Sequence, residues 1–476
     1  MDILIKASQL ILSLTILVVV HEFGHYLFAK LFKTRVEKFY LFFNPWFSIF
    51  KIRKTDTGWK YKFFSSAKNS LEPTEIPNPL NPEEMIAAPV PKNTEWGIGW
   101  LPLGGYVKIA GMIDESMDTK QLQKTPEPWE FRSKKAWQRL LVMIGGVMFN
   151  FILAMVIFIG ILFTWGEEFL PAKNVKYGIM CDSVALNIGL KNGDHIKALD
   201  DREIVDFKQI HKDLVLDKIH YIQITRNGKD TSITVPEDMQ STLIKNRDFV
   251  SVRIPFVAAD FSSESPAKAA GIQVGDKLVG INGEELLFFD QYPHKLALLK
   301  STEAMVSVER NGIKQDIKVT VTAEGKLGIF PQSELKAFFE TEKKDYSIFE
   351  SVPAGISKGY SAVGDYLKQF KLIFSPETGA YKEVGGFIAI GKIFPAFWDW
   401  QIFWTMTAIL SIMLAVVNIL PIPALDGGHT LFLLFEMITR RKPSDKFLEY
   451  AQMAGLVLLL GLVLFANGND IVKLFK

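Results

Sequence analysis

The 476-residue sequence contains a single cysteine, Cys181, so no intramolecular disulfide is available and any exported domain must be held by its packed core. The lone thiol reads as a small buried apolar residue and not as a nucleophile. Net charge is also scarce. Lys and Arg number 54 against 52 Asp and Glu, a balance of +2 that gives no reason to invoke nucleic acid as a partner. Charged residues make up 22% of the chain and hydrophobic residues 48%. That is too apolar for a typical soluble protein and too charged for one made only of membrane spans. The charges are therefore concentrated between apolar segments.

Four such segments are readable: Ile3 to Phe32, about Leu140 to Trp165, about Ile402 to Leu420, and about Phe447 to Ala466. The first is too long for a cleavable signal peptide. The last has a solid apolar core of only about 14 residues and by length alone also reads as a buried helix. Trp137, Trp165, Trp398, Trp400 and Trp404 lie where an aromatic belt would place them.

Inside the first segment stands His21-Glu22-Phe23-Gly24-His25, an HExxH pentapeptide. On a helix its two histidines share one face, so both imidazoles can reach one zinc ion, with Glu22 beside it to activate water. Such a pentapeptide also arises by chance in non-enzymes. Within about 20 apolar residues, however, two histidines and a glutamate are costly unless they are paired, metal-bound or lining a polar cavity. A catalytic zinc needs a third protein ligand and an open position. The best candidate is Asp426, in Asn418-Ile419-Leu420-Pro421-Ile422-Pro423-Ala424-Leu425-Asp426-Gly427-Gly428-His429, where two prolines break the helix at membrane depth. Its plain alternative is a capping role, and His429 ranks below it as a ligand.

HEFGH near the amino terminus, NILPIPALDGGH near the carboxyl terminus and a long insert between them resemble the site-2 protease family of intramembrane zinc metalloproteases, over essentially the whole chain. The resemblance implies Zn2+ held by His21, His25 and Asp426, with Glu22 as general base and Asn418 contacting the substrate backbone. Pro421, Pro423, Gly104, Gly105 and Tyr106 are expected at the substrate as well. The implied activity is a zinc metalloendopeptidase cutting transmembrane segments of single-span membrane proteins in an envelope stress response. An anti-sigma factor already trimmed outside, and remnant signal peptides, are the implied substrates.

The expected fold is a polytopic α-helical membrane protein of about four transmembrane helices, with a cytoplasmic-side membrane-associated β-loop and a tandem of PDZ domains inserted between helices two and three. The expected boundaries are 1–33 for the first span, 34–136 for a cytoplasmic loop with a membrane-reentrant β segment, and 137–166 for the second span. PDZ domains follow at 167–255 and 256–335, then an amphipathic helical linker at 336–398. The third span is placed at 399–430, a cytoplasmic loop at 431–446, the fourth span at 447–468 and a periplasmic tail at 469–476.

Basic residues set the orientation. Lys30, Lys33, Arg35 and Lys38 follow span one, Arg132, Lys134, Lys135 and Arg139 precede span two, and Arg440, Arg441, Lys442 and Lys446 join spans three and four. By the positive-inside rule these flanks are cytoplasmic. The segment from about Gly166 to Asp399 and both termini are then periplasmic, in a bacterial inner membrane, with the site toward the cytoplasmic side.

Ser265-Pro266-Ala267-Lys268-Ala269-Ala270-Gly271-Ile272, followed by Val274-Gly275-Asp276 and Ile281-Asn282-Gly283, resembles a bacterial PDZ signature. Ser183 to Leu190 with Asn192-Gly193-Asp194 is a degenerate echo of it, forming a repeat pair. No intact carboxylate-binding loop is recognisable, so the pair reads either as a size filter above the active site, as the resemblance implies, or as a peptide sensor. Ile356, Tyr360, Val363, Leu367 and Phe370 recur at helical spacing, for a helix lying on the membrane surface, packing under the PDZ pair or simply joining a core.

Trp59, Tyr61 and Phe63 alternate with Lys60 and Lys62 after an Asp56-Thr57-Gly58 turn, and Trp96 to Ile109 contains a Gly104-Gly105 turn. Both read as short strands. The resemblance implies a membrane-dipping β-loop whose edge pairs with an unwound substrate, because a helical substrate hides its carbonyls until extended. Glu72 to Pro91, rich in proline, reads as an irregular loop. Gly145-Gly146-Val147-Met148-Phe149-Asn150 in span two reads as close helix packing with an interhelical hydrogen bond, Asn150 being structural and not catalytic. Two rival functions stand beside the protease: a non-proteolytic membrane scaffold, and a zincin acting on soluble or surface peptides.

Overall fold

The computed structural model describes residues 2–66, 71, 75–78, 81–87, 91–102, 104–112, 125–246 and 249–475. Leu103 and parts of the Glu72 to Pro91 stretch lie outside them. The chain divides into two units. One comprises Met1–Trp165, Asp345–Phe370 and Val384–Lys476; the other comprises Gly166–Lys344 and Lys371–Glu383.

The helices of the first unit are α1 (Asp2–Leu31), α2 (Ala136–Trp165), α3 (Ile348–Ile373, belonging here through Phe370), α4 (Phe387–Lys392), α5 (Trp400–Ile419), α6 (Asp426–Thr439) and α7 (Asp445–Leu474). Among them α1, α2, α5 and α7 are long and apolar enough to cross a membrane. For α7 this decides between the two readings of its sequence. It is continuous for 30 residues and leaves Val457 and Leu464 exposed, as suits a lipid-facing span and not a core helix. The expected loop at 431–446 is helical through Thr439, and the expected tail at 469–476 continues α7 to Leu474. In α6 the apolar residues Leu431, Leu434, Phe435 and Ile438 recur at helical spacing, which favours helix over loop.

α2 is the hub, packing against α1, α5 and α6. The approach to α1 is close enough that a Cβ on Gly24 would stand 2.3 Å from the Gly145 carbonyl oxygen. Arg139 at the start of α2 is paired with Glu436 on α6 at 2.5 Å, both largely buried. α3 also packs on α2, through its smallest residues. A Cβ at Gly355 would collide with Ile159, and Gly359 faces Met155. Of the apolar series at helical spacing, Val363 packs with Tyr366 against the cluster formed by α2 and α5, while Tyr360 and Leu367 are exposed. Close backbone approach between helices selects glycine at the contact itself.

Between α1 and α2 runs a sheet of β1 (Val36–Leu41), β2 (Phe43–Thr55) and β3 (Gly58–Ser66), with two later strands. A separate two-stranded hairpin, β4 (Glu75–Asn78) with β5 (Asn81–Ala87), occupies the stretch expected to be irregular. An isolated ribbon tolerates Pro77 and Pro82, since neither has to donate to a third strand. The remaining strands are β6 (Glu95–Leu101) and β7 (Tyr106–Ile109), and the sheet order is β3-β2-β6-β1-β7. β6 and β7 are not neighbours. β1 lies between them, parallel to β6 and antiparallel to β7. Gly104-Gly105 is therefore a crossing over the end of β1 and not a hairpin turn, and among the described residues β7 is the last strand of its sheet.

The second unit contains two β cores of parallel design. In the first, Arg202–Glu203, His195–Leu199, Tyr221–Arg226 and Lys229–Thr234 pair in that order; in the second, Glu284–Glu285, Lys277–Ile281, Glu303–Arg310 and Ile313–Thr320 repeat the pairing. Each encloses its own apolar cluster. The same ion pair recurs in both: Arg226 forks onto Asp194 and donates to the Gly189 carbonyl, and Arg310 forks onto Asp276 and donates to the Gly271 carbonyl. Arg253 joins the two cores by a bidentate bond to Asp290 at 2.9 and 3.1 Å. Burial pushes the Cys181 thiol up to about 12, so it carries no thiolate near neutrality.

Candidate metal centre and its cavity

His21 and His25 sit one helical turn apart on the buried face of α1, with their Nε2 atoms 3.2 Å apart. The third donor comes from a chain reversal. α5 stops at Ile419, Pro421 and Pro423 prevent its continuation, and α6 starts at Asp426. Ala424, inside this reversal, has φ +77°, a left-handed conformation that an alanine adopts only under local constraint. The reversal delivers Asp426 Oδ2 to 3.1 Å from His21 Nε2 and 3.3 Å from His25 Nε2.

These three residues form the group of potential metal ligands found among the described residues. Donors bound about 2.1 Å from a tetrahedral zinc lie roughly 3.4 Å from one another, so the triangle is already close to the right size. Asp426 Oδ2 is buried and forms no hydrogen bond of acceptable geometry despite both close nitrogens. Space is made by α2: a Cβ on Gly146 would fall 2.4 Å from His25 Nε2 and 2.7 Å from His21 Cε1. The outer faces of the rings are held as metal-ligating histidines require. His25 Nδ1 meets the Val142 carbonyl at 2.8 Å, and His21 Nδ1 meets the Asn150 side chain at 3.2 Å. Size, donor chemistry and outer contacts all fit a zinc ion.

The centre opens on a cavity of about 770 Å³. Glu22, Asn418, Gly104, Gly105 and Tyr106 share its wall with the three donors. The Val107 backbone N–H donates to the Glu22 carboxylate, so the edge strand β7 itself orients the acid. Asn418 Nδ2 is 3.4 Å from His21 Nε2. Tyr106 stacks on Tyr40 at 5.2 Å and donates to Asn44. Pro421 and Pro423, expected at the substrate, are not on this wall. They shape the reversal, against which α7 packs so closely that a Cβ on Gly455 would meet the Pro423 carbonyl oxygen. His429 lines the cavity outside the donor triangle and is hydrogen-bonded to Gln452 of α7.

The sequence profile described as Peptidase family M50 matches residues 9–67 and 82–462, spanning both motifs and the insert. The chain belongs to peptidase family M50. It is 26% identical to the regulator of sigma E protease of Haemophilus influenzae and 25% identical to the protease RseP of Yersinia pestis, over 100% of both chains in each comparison. A Vibrio cholerae protein named "Putative zinc metalloprotease" is 26% identical over 99% of this chain and all of its own. With its four span-capable helices, this M50 peptidase is a multi-pass membrane protein of bacterial type.

Sequence reasoning missed three parts of the M50 centre. The Val142 carbonyl is backbone and leaves no trace in residue type. Gly146 is legible as a packing glycine but not as the wall of a metal pocket. Gln452 carried a usable signal, being an amide in an apolar span.

Proposed function

We propose that this zinc metallopeptidase cuts transmembrane segments of single-span membrane proteins from within the membrane. The observation that carries the reading is the His21-His25-Asp426 triangle, whose two histidines lie on the span-capable helix α1, sharing one cavity with Glu22 and with β7, the last strand of its sheet among the described residues. Zinc held there would supply Lewis-acid activation of water and of the scissile carbonyl. The remaining work falls to the chain's own groups. Glu22, oriented by the Val107 N–H, takes the proton of the attacking water and returns it to the leaving amine nitrogen. The β7 edge pairs with an extended stretch of substrate, and Asn418 contacts its backbone. A transmembrane helix must be unwound before its carbonyls are available, and pairing with a strand stabilises the unwound form.

The basic residues flanking the spans support a cytoplasmic placement of the site in a bacterial inner membrane, with the insert and both termini periplasmic. The matched β cores, each with its Asp-Arg fork, support their reading as a PDZ repeat pair, for which we propose a role as a size filter that admits substrates trimmed outside, or as a peptide sensor. Anti-sigma factors and remnant signal peptides are the substrates proposed, the former in keeping with similarity to a protease named as a regulator of sigma E.

The test is cleavage of a single-span reporter with a trimmed outer domain, in detergent, by the wild-type chain and by Glu22→Gln. Cleavage by wild type alone supports the reading. Full activity in Glu22→Gln removes the assigned base, and cleavage of a soluble peptide in preference to the reporter points to the zincin alternative.

A further inference from the structure

Asn150 is fully buried on α2, and its side-chain nitrogen lies 3.2 Å from His21 Nδ1. Among the described residues its side-chain oxygen has no hydrogen-bond partner. Its backbone carbonyl accepts from Ser411 Oγ at 2.8 Å, which ties this point of α2 to α5. The residue is thus held in place while one end of its amide goes unused.

The donor triangle determines which end is needed. His21 Nε2 is the atom nearest Asp426, so it faces the metal and must offer a lone pair. In a neutral imidazole the proton then sits on Nδ1, which becomes a donor. An amide nitrogen opposite that N–H would set donor against donor. The oxygen and nitrogen of a side-chain amide are nearly the same size, and a half-turn exchanges them within the same cage. We propose that Asn150 is a positioning residue for the metal centre. Its side-chain oxygen accepts from His21 Nδ1–H, locks the ring in the tautomer that presents Nε2, and does for His21 what the Val142 carbonyl does for His25.

The inference rests on the zinc-binding reading above, and zinc affinity separates the two. It is measured on the full-length protein in detergent, by competition with a chromophoric chelator. If the wild type binds no zinc, the reading of the centre itself fails. If the wild type binds, Asn150→Ala should bind about 10–100-fold more weakly. Asn150→Asp keeps an oxygen in either rotamer and should bind within about threefold of wild type or more tightly. A residue that merely filled space would not be rescued by the carboxylate. Wild-type affinity in Asn150→Ala, or an Asn150→Asp variant as weak as Asn150→Ala, overturns the proposal.

A second measurement holds even where Asn150→Asp does not fold. Nitrogen-15 spectra of histidine-labelled, zinc-loaded wild type, with His21 assigned by its loss in His21→Gln, should show Nδ1 protonated. That proton's shift should move in Asn150→Ala. An unprotonated Nδ1, or a signal unmoved by the alanine, refutes the assignment.

Discussion

Nδ1 of His25 stands 2.8 Å from the carbonyl oxygen of Val142 on the facing helix. A carbonyl only accepts, so the proton of the ring is on Nδ1 and Nε2 turns its lone pair toward Asp426 and His21. The tautomer that zinc requires is therefore written into the packing of α1 against α2.

That packing depends on Gly146. Gly146→Ala places a methyl 2.4 Å from His25 Nε2, and the imidazole has to move. A displacement of about 1 Å at a catalytic group costs roughly 100-fold in rate. Cleavage should fall by at least that factor and zinc occupancy should drop, while circular dichroism reports an unchanged helical signal. Wild-type zinc content in this variant would mean the pocket is wider than the glycine indicates.

Asp426→Ala removes the donor that the helix reversal delivers. The purified protein should retain its fold and lose stoichiometric zinc by atomic absorption, with cleavage abolished. Unchanged metal content would point to another third ligand, with His429 on the same cavity the first to examine.

Removal of zinc by a chelator should abolish cleavage in the wild type, and added zinc should restore it. In Glu22→Gln the metal should bind normally and restore nothing, because the missing function is proton transfer and not ligation. Loss of zinc in Glu22→Gln would show that the acid shapes the centre itself.

In the second unit the Arg310 guanidinium holds the Asp276 carboxyl below its ordinary value, against the opposing effect of burial. A depressed folded-state value stabilises above the unfolded value of about 3.9, and the contribution disappears as pH falls through the folded value. Asp276→Asn should therefore lower the melting temperature of the full chain at pH 6, by roughly 3 °C or more. The difference should shrink as the pH is taken toward the acid end. A difference that is constant with pH would assign the loss to packing and not to charge.

The sequence alone determined what is local. HExxH spacing fixes two ligands and an acid on one helix because residues four apart share a face. The proline pair ends α5 because proline cannot continue a helix, and the apolar runs mark spans because length and hydropathy are properties of contiguous residues. The tertiary structure decided what depends on which elements become neighbours. It brought Asp426 to two histidines about four hundred residues away in sequence, placed Val142 and Asn150 behind the rings, and set β1 between β6 and β7. It also set the glycines of α3 at the closest approach to α2, with Val363 and Tyr366 packed beside them and Tyr360 and Leu367 left exposed. Amphipathic periodicity identifies faces but not the surface each will meet, and the closest backbone approaches are made where side chains are smallest.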